Sequence, residues 1–102
     1  MAAGELRVDP RSREVWLHDE PLSLTSVEFT LLETLLREAG TVVTREQLTE
    51  TVLGRKLGPF DRVIDVHISN IRKKLGALDR GGQWIKAVRG TGYLFAARTD
   101  TK

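Results

Sequence analysis

The sequence predicts an α+β domain in which an N-terminal antiparallel sheet is followed by three helices and a C-terminal β-hairpin. Three patterns indicate it. Apolar and polar residues alternate over the first 24 positions, as they do in half-buried strands. From residue 25 to residue 76 apolar residues recur every three or four positions, which is typical of helices packed on a core. Close to the C-terminus two short apolar runs flank a turn with two glycines, and this predicts a hairpin.

Three short strands make up the predicted sheet. They are centred on residues 6–8, 15–17 and 22–24, and the gaps between them carry proline and charged turn residues. A chain of 102 residues fits a single domain with one modest core. We expect that domain to cover residues 5–97, with flexible termini on either side, at residues 1–4 and 98–102.

The first two helices each begin at a capping box, in which a threonine is followed three positions later by a glutamate or glutamine. Thr25 with Glu28 opens the first helix, and Thr44 with Gln47 opens a second, shorter one. A loop at residues 54–60 follows. It contains glycine and proline, and it is longer than the corner of a tight helix-turn-helix.

A third helix is predicted at residues 61–76, and its two faces differ in chemistry. One face carries four apolar residues that we expect in the core: Ile64, Ile68, Ile71 and Leu75. The opposite face mixes cations, small polar groups and one aliphatic side chain: Arg62, Val66, Ser69, Asn70 and Lys73. Cations bind phosphates and an amide can pair with a base edge, so this face favours contact with DNA.

The C-terminal hairpin is predicted at residues 84–96, with its turn at residues 89–92. The full order is then strands, helix, short strand, helix, loop, helix and hairpin. This is the layout of a winged helix-turn-helix, with the hairpin as its wing.

Charge is distributed unevenly along the chain. The net charge is only +2, but residues 1–54 carry −5 and residues 55–102 carry +7. Such polarity favours an anionic partner for the basic half, although a mixed, solvated surface would also explain it. There is no cysteine, no apolar run long enough to span a membrane and no signal-peptide pattern at the N-terminus. We therefore expect a cytoplasmic protein with no membrane partner.

Enzyme activity is not predicted, and neither a metal nor another cofactor is expected. Asp65 and His67 are two positions apart on a helix, so they cannot face each other. The glycines near the C-terminus lack the spacing of a dinucleotide fingerprint, and those near residue 54 lack that of a P-loop. Two isolated histidines make a poor metal site.

Four segments resemble the effector domain of OmpR/PhoB-type response regulators: LTSVEFTLLETLL, VVTREQL, DRVIDVHISNIRKKLG and AVRGTGYLF. The resemblance covers residues 5–97. The segment EQLTETVLGRKLGPFDRVIDVHISNIRKKL further resembles the CpxR branch, regulators tied to cell-envelope stress in Gram-negative bacteria.

The resemblance implies a domain that binds direct-repeat promoter sites, with the third helix in the major groove and the wing in the minor groove. It also implies a receiver domain ahead of this one, against which the N-terminal sheet would lie and whose phosphorylation drives dimerisation. A chain of 102 residues cannot hold both domains, so we expect a fragment without its receiver. We expect it to be a monomer alone and a tandem dimer on DNA.

Site residues follow from the chemistry of each position together with the resemblance. Phosphate contacts are expected from four residues: Arg62, His67, Arg72 and Lys73. Base reading is expected from four others on the same helix: Asp65, Val66, Ser69 and Asn70. Arg89, beside the glycine turn of the wing, is expected in the minor groove.

A second hypothesis is that the domain is a winged-helix module that binds protein. The resemblance implies that loop 54–60 contacts RNA polymerase, through Arg55, Lys56 and Leu57. The hypotheses of DNA binding and of protein binding are compatible. Binding to structured RNA is less consistent with a helix that presents base-reading groups, because the deep groove of A-form RNA does not admit them.

Overall fold

The computed structural model describes residues 1–78 and 84–96. Its N-terminal sheet is entirely antiparallel, in the order β1-β2-β3-β4. The strands are β1 Ala2–Ala3, β2 Leu6–Asp9, β3 Glu14–Leu17 and β4 Glu20–Leu22. The sheet therefore has one strand more than the three predicted, because Ala2 and Ala3 pair with Arg7 and Leu6. These alanines belong to the segment that we expected ahead of the domain, whereas the expected flexible segment 98–102 lies outside the described residues.

The helices are α1 Ser26–Arg37, α2 Arg45–Leu48 and α3 Val63–Leu78, and a π-helical turn, Thr49–Leu53, extends α2. Both predicted capping boxes are present, at Thr25 with Glu28 and at Thr44 with Gln47. Helix α3 both starts and ends two residues later than predicted. Its first turn is capped by Asp61, whose Oδ1 accepts the Val63 amide at 3.1 Å.

A second sheet joins the middle of the chain to its end. It consists of β5 Val43–Thr44, β6 Ile85–Val88 and β7 Gly92–Phe95, in the order β5-β7-β6. Strands β6 and β7 form the predicted hairpin, and we call residues 84–96 the wing. The short strand β5 pairs with β7, so it ties the wing to the segment between α1 and α2.

One hydrophobic core lies between the two sheets and the helices. Helix α3 contributes the four apolar residues that the sequence predicted, Ile64, Ile68, Ile71 and Leu75, and all are at most 2% exposed. Because this stripe faces inward, the opposite side of α3 must face solvent. The predicted winged helix-turn-helix fold is confirmed. Within the described residues, no helix has the length and apolar character needed to cross a membrane.

Candidate nucleic-acid interface

The outward face of α3 presents most of the residues predicted to contact DNA. Arg62, Val66, Ser69 and Lys73 are exposed, and Asn70 is half-buried beside them. Val66 is 55% exposed and is an aliphatic side chain among polar neighbours. The structure therefore brings cations, hydrogen-bonding groups and one apolar group together on a single helical surface.

Asp65, on the flank of α3, forms hydrogen bonds with side chains from two other elements. Its Oδ2 accepts a hydrogen bond from Nη2 of Arg45 at 2.5 Å, and its Oδ1 accepts one from the hydroxyl of Tyr93 at 2.5 Å. Its side chain is 26% exposed. Burial and the bond to Asp65 raise the pKa of Tyr93 to about 12, so the phenol keeps its proton and donates it.

Of the predicted phosphate-binding residues, Arg72 is hydrogen-bonded within the protein, whereas His67 is partly buried on the flank of α3. The guanidinium of Arg72 donates from Nε and Nη2 to the carbonyl oxygen of Ile85, at 3.1 and 2.8 Å, so this exposed cation is fastened to the wing. His67 is half-buried, and its Nδ1 has no hydrogen-bond partner among the described residues. Its neighbour on the same flank of α3, Lys74, pairs with the buried Glu28.

Arg89 lies at the tip of the wing and is exposed. The turn that carries it is closed by a bond from the Thr91 amide to the carbonyl of Val88 at 3.0 Å, and Gly90 adopts a φ of +74° there. That φ lies in the left-handed region, which glycine tolerates at no steric cost. The guanidinium is thus carried on a tight turn made of small residues.

A groove of about 710 Å³ separates the start of α3 from the wing. Arg62 lines it on the helix side and Arg89 on the wing side, while Leu57 and Phe60 line it on the side of the loop. The two cations therefore border a single channel. Asp61 and Asp65 also line it, and each is paired with an arginine, Arg55 and Arg45 respectively.

Loop 54–60 is held by a carboxylate at the start of α3. Arg55 donates from Nη1 to Oδ2 of Asp61 at 2.5 Å. This bond and the Val63 amide lower the pKa of Asp61 from 3.8 to about 2. Lys56 is exposed, and Leu57 is half-buried toward the groove. Of the three predicted polymerase contacts, Arg55 has an ion-pair partner among the described residues, Asp61.

Three residues of this region were missed by the sequence analysis: Arg45, Tyr93 and Phe60. A basic residue in the first turn of a helix opposes the helix dipole, and this is a signal that could have singled out Arg45. Phe60 follows a Gly-Pro pair in a turn, has a φ of +60° and is 99% exposed. Its aromatic character in a polar turn was the available signal. The sequence carries no signal for Tyr93, because its partner, Asp65, lies on a different element, α3.

Among the described residues, no cluster of histidine and carboxylate side chains could hold a metal ion. Comparison with known proteins then identifies the domain. A family model described as "Transcriptional regulatory protein, C terminal" matches residues 19–95. The chain belongs to this family. It is of the OmpR/PhoB type predicted from the sequence motifs, and the family consists of regulatory domains rather than enzymes, as expected.

Relatives within this family point to the CpxR branch. The transcriptional regulatory protein CpxR of Escherichia coli (strain K12) is 47% identical over 92 residues, which make up 90% of this chain and 40% of that protein. The crystal structure of the DNA binding domain of CpxR from E. coli has a TM-score of 0.89 and 42% identity, and the match covers 97% of each chain. The predicted resemblance to CpxR is therefore confirmed.

Another relative is the Klebsiella pneumoniae RstA DNA-binding domain, whose crystal structure is in complex with RstA box. It has a TM-score of 0.86 and 38% identity, and the match covers 95% of this chain and 96% of that one. The chain thus corresponds nearly end to end with isolated DNA-binding domains. It spans only 40% of the length of CpxR.

Proposed function

We propose that the domain binds double-stranded promoter DNA in a sequence-specific manner, with α3 in the major groove and the wing in the adjacent minor groove. The observation that carries this proposal is the outward face of α3, where exposed Arg62, Val66, Ser69 and Lys73 lie opposite the buried isoleucines. The likeness to RstA, solved with RstA box, supports it.

Base reading on this face falls to Val66, Ser69 and Asn70. Their side chains are short, so the helix backbone can approach the floor of a groove about 12 Å wide. An asparagine amide can form a bidentate pair with adenine, and an aliphatic group can pack on the methyl group of thymine. We therefore expect Asn70 to specify an adenine, and contact with thymine explains why Val66 is exposed.

Phosphate binding falls to Arg62, Lys73, Arg72 and His67, with Arg89 in the minor groove. The groove between Arg62 and Arg89 would receive one sugar-phosphate strand as it passes from the major to the minor groove. Neutralising phosphates supplies sequence-independent affinity and makes it sensitive to salt. Arg72 would meet a phosphate while still bonded to Ile85, because its side chain is exposed.

The wider role follows from the CpxR-like family. We propose that the domain is the effector part of a two-component response regulator of the envelope-stress type, located in the cytoplasm. A receiver domain would precede it in the full-length protein and lie against its N-terminal sheet. We propose that the isolated domain is a monomer and that two copies bind direct repeats in tandem.

Contact with RNA polymerase through loop 54–60 is a second, compatible function. The observation that favours it is Phe60, an aromatic side chain that is 99% exposed on a loop fastened by Asp61. Aromatic residues, phenylalanine among them, are enriched at the cores of protein interfaces. Arg55, Lys56 and Leu57 would flank this anchor.

Selection from a random duplex pool tests DNA binding directly. We expect the wild-type chain to enrich one motif in direct repeat. Asn70→Ala should lose preference at one base pair by about 1–3 kcal/mol, whereas Arg62→Ala should weaken binding to all sequences and reduce the salt slope by about 1. Arg11→Ala, an exposed arginine in the N-terminal sheet region, is the matched control and should change neither. If Asn70→Ala and Arg62→Ala both bind like wild type, α3 is not the reading element.

Purified RNA polymerase tests the loop. Phe60→Ala should bind the selected duplex as wild type does but should lose its association with polymerase on that duplex. Equal retention of polymerase by wild type and Phe60→Ala would exclude Phe60 as the anchor.

A further inference from the structure

Asp65 lies on the recognition helix, yet its carboxylate is directed at other parts of the protein. Both oxygens accept hydrogen bonds at 2.5 Å, one from Arg45 on α2 and one from Tyr93 on β7. To read a cytosine amino group, the carboxylate would have to turn away from one donor or share an oxygen with it. Its geometry is that of a tie between elements rather than of a free acceptor.

Arg45, at the start of α2, also bonds to the backbone next to α3 and to the backbone of the wing turn. Its Nη2 also donates to the carbonyl oxygen of Asp61, at 3.0 Å, just before α3 begins. Its backbone amide donates to the carbonyl of Thr91 in the wing turn, at 3.2 Å. One residue at the start of α2 therefore contacts both the wing turn and the first turn of α3.

Tyr93 completes the tie from the wing. It lies in the central strand of the second sheet, opposite Val43 on one side and Ala87 on the other. Its hydroxyl leaves the sheet and reaches Asp65 on α3. Since its pKa is raised to about 12, it remains a donor throughout the physiological pH range.

A second tie lies further along α3, where Arg72 bonds the carbonyl of Ile85 on β6. Positions 65 and 72 are about 10 Å apart along a helix that rises 1.5 Å per residue. These ties add to the pairing of β7 with β5 and to the burial of Trp84, Ile85 and Phe95, which also attach the wing to the domain. Two ties separated by about two helical turns help to define the direction of the wing as well as its distance from α3.

We propose that Arg45, Asp65 and Tyr93 are positioning residues for DNA recognition and that Asp65 itself reads no base. They hold the wing at a set angle to α3, so that Arg89 meets the minor groove when the outward face of α3 meets the major groove. Holding both parts in place before binding removes an ordering cost at the moment of association. This inference rests on the proposed DNA binding.

The first test needs no DNA. Tyr93→Phe removes one hydroxyl, and Asp65→Asn keeps the shape of the side chain but removes its charge. We expect amide hydrogen exchange in β6 and β7 to become at least about tenfold faster in both variants. Asp19→Asn is the control, because Asp19 is an exposed carboxylate between β3 and β4 that is paired with Arg7 of β2, in the N-terminal sheet, and it should leave exchange in the wing unchanged. Unchanged exchange in both test variants would overturn the positioning role.

The second test uses the duplex selected by the wild type. Both variants should bind it about tenfold more weakly and should select the same motif. In a double-mutant cycle, Arg89→Ala should cost clearly less affinity in the Tyr93→Phe background than in wild type, because the wing is no longer held for the groove. A changed preference at a cytosine in Asp65→Asn, or additive effects of Tyr93→Phe and Arg89→Ala, would overturn the proposal.

The two tests separate this inference from the function on which it rests. Absence of any preferred duplex for the wild type would overturn the proposed function and the recognition role together. Normal selection by the wild type with unchanged wing exchange in the variants would overturn the positioning role alone.

Discussion

Nζ of Lys74 lies 2.6 Å from Oε1 of Glu28, and this ion pair joins α3 to the first turn of α1. The Glu28 side chain is 4% exposed, and the same oxygen accepts the Thr25 amide of the capping box at 3.0 Å. Burial alone would raise the pKa of Glu28. The Lys74 ammonium and the Thr25 amide outweigh it, so the pKa lies below its ordinary value of 4.5. One carboxylate thus caps α1 and anchors α3.

Glu28→Gln is therefore expected to destabilise the fold. A glutamine can still cap Thr25 but leaves Lys74 without its counter-charge. A fully buried pair would cost about 3–5 kcal/mol to break, but the Lys74 side chain is 35% exposed, so we expect about 1–2 kcal/mol at pH 7. Urea denaturation would measure this loss. Glu46→Gln, which changes an exposed glutamate in the first turn of α2, is the control and should have little effect.

The cost of Glu28→Gln should also depend on pH. Because the pKa of Glu28 is lower in the folded state, the stabilisation by the ionised carboxylate is fully present above the unfolded value of 4.5. It is lost as the pH falls through the folded pKa. Wild type and variant should therefore converge in stability under acid, and a constant difference from pH 7 down to pH 2 would contradict the linkage.

Asp61 is expected to titrate near pH 2. Its pKa of about 2 comes first from the Arg55 bond and next from the Val63 amide. A carboxyl titration followed by NMR should show that value in wild type and a value nearer 3.8 in Arg55→Ala, with part of the lowering kept by Val63. The anchoring of the loop is present above pH 3.8 and is lost as the pH falls through about 2. A midpoint near 3.8 in wild type would show that Arg55 and Asp61 do not pair in solution.

Much of the fold was predictable because its signals are local. The capping boxes at Thr25 and Thr44 and the apolar stripe of α3 depend on residues three or four positions apart, and all are present. The fourth strand was missed because two alanines carry no alternating pattern. The start of α3 was placed early because Asp61 lies outside the helix as its cap.

The candidate site was less predictable, because its ties join residues that are distant in sequence. Asp65 is bonded to Arg45, 20 positions earlier, and to Tyr93, 28 positions later. Spacing on one helix shows that Asp65 lies near the polar face, but it does not show which donors from α2 and β7 reach it. The same holds for Arg72, whose acceptor is a backbone oxygen that carries no sequence signal.

Phe60→Asn is expected to stabilise the fold. The turn at residues 58–61 is closed by the Asp61 amide on the carbonyl of Gly58 at 3.3 Å, and it requires a φ of +60° at Phe60. This left-handed conformation costs an ordinary residue roughly 1–2 kcal/mol, and asparagine adopts it more readily. Since the side chain is 99% exposed, it loses no packing when replaced. We expect a gain of about 0.5–1 kcal/mol in the free energy of unfolding.

Lys56→Asn is the control for this prediction. Lys56 is an exposed residue of the same loop, and it does not have a positive φ. The substitution Lys56→Asn should therefore leave the free energy of unfolding unchanged. A loss of stability in Phe60→Asn would mean that Phe60 packs on the protein in solution.

Substitution by alanine is expected to lower the free energy of unfolding at Gly92 and to raise it at Gly76. A Cβ added at Gly92 would lie 2.1 Å from the carbonyl oxygen of Val43 and 2.8 Å from Cα of Thr44, so β5 and β7 would have to move apart. These contacts are backbone atoms, which cannot rotate away as a side chain would. Gly92→Ala should therefore cost about 1–3 kcal/mol or more, in the range of overpacked sites.

Gly76→Ala is the matched variant, because a Cβ there would meet nothing within 4 Å. Gly76 lies inside α3, where alanine is favoured over glycine by about 0.5–1 kcal/mol, since it loses less backbone entropy on folding. Thermal or urea denaturation should show that Gly92→Ala is less stable and Gly76→Ala more stable than the wild type. The loss in Gly92→Ala should also appear as faster amide exchange in β7, whose pairing with β5 is disturbed. Equal stability of the two variants would show that the wing can move away from β5 at little cost.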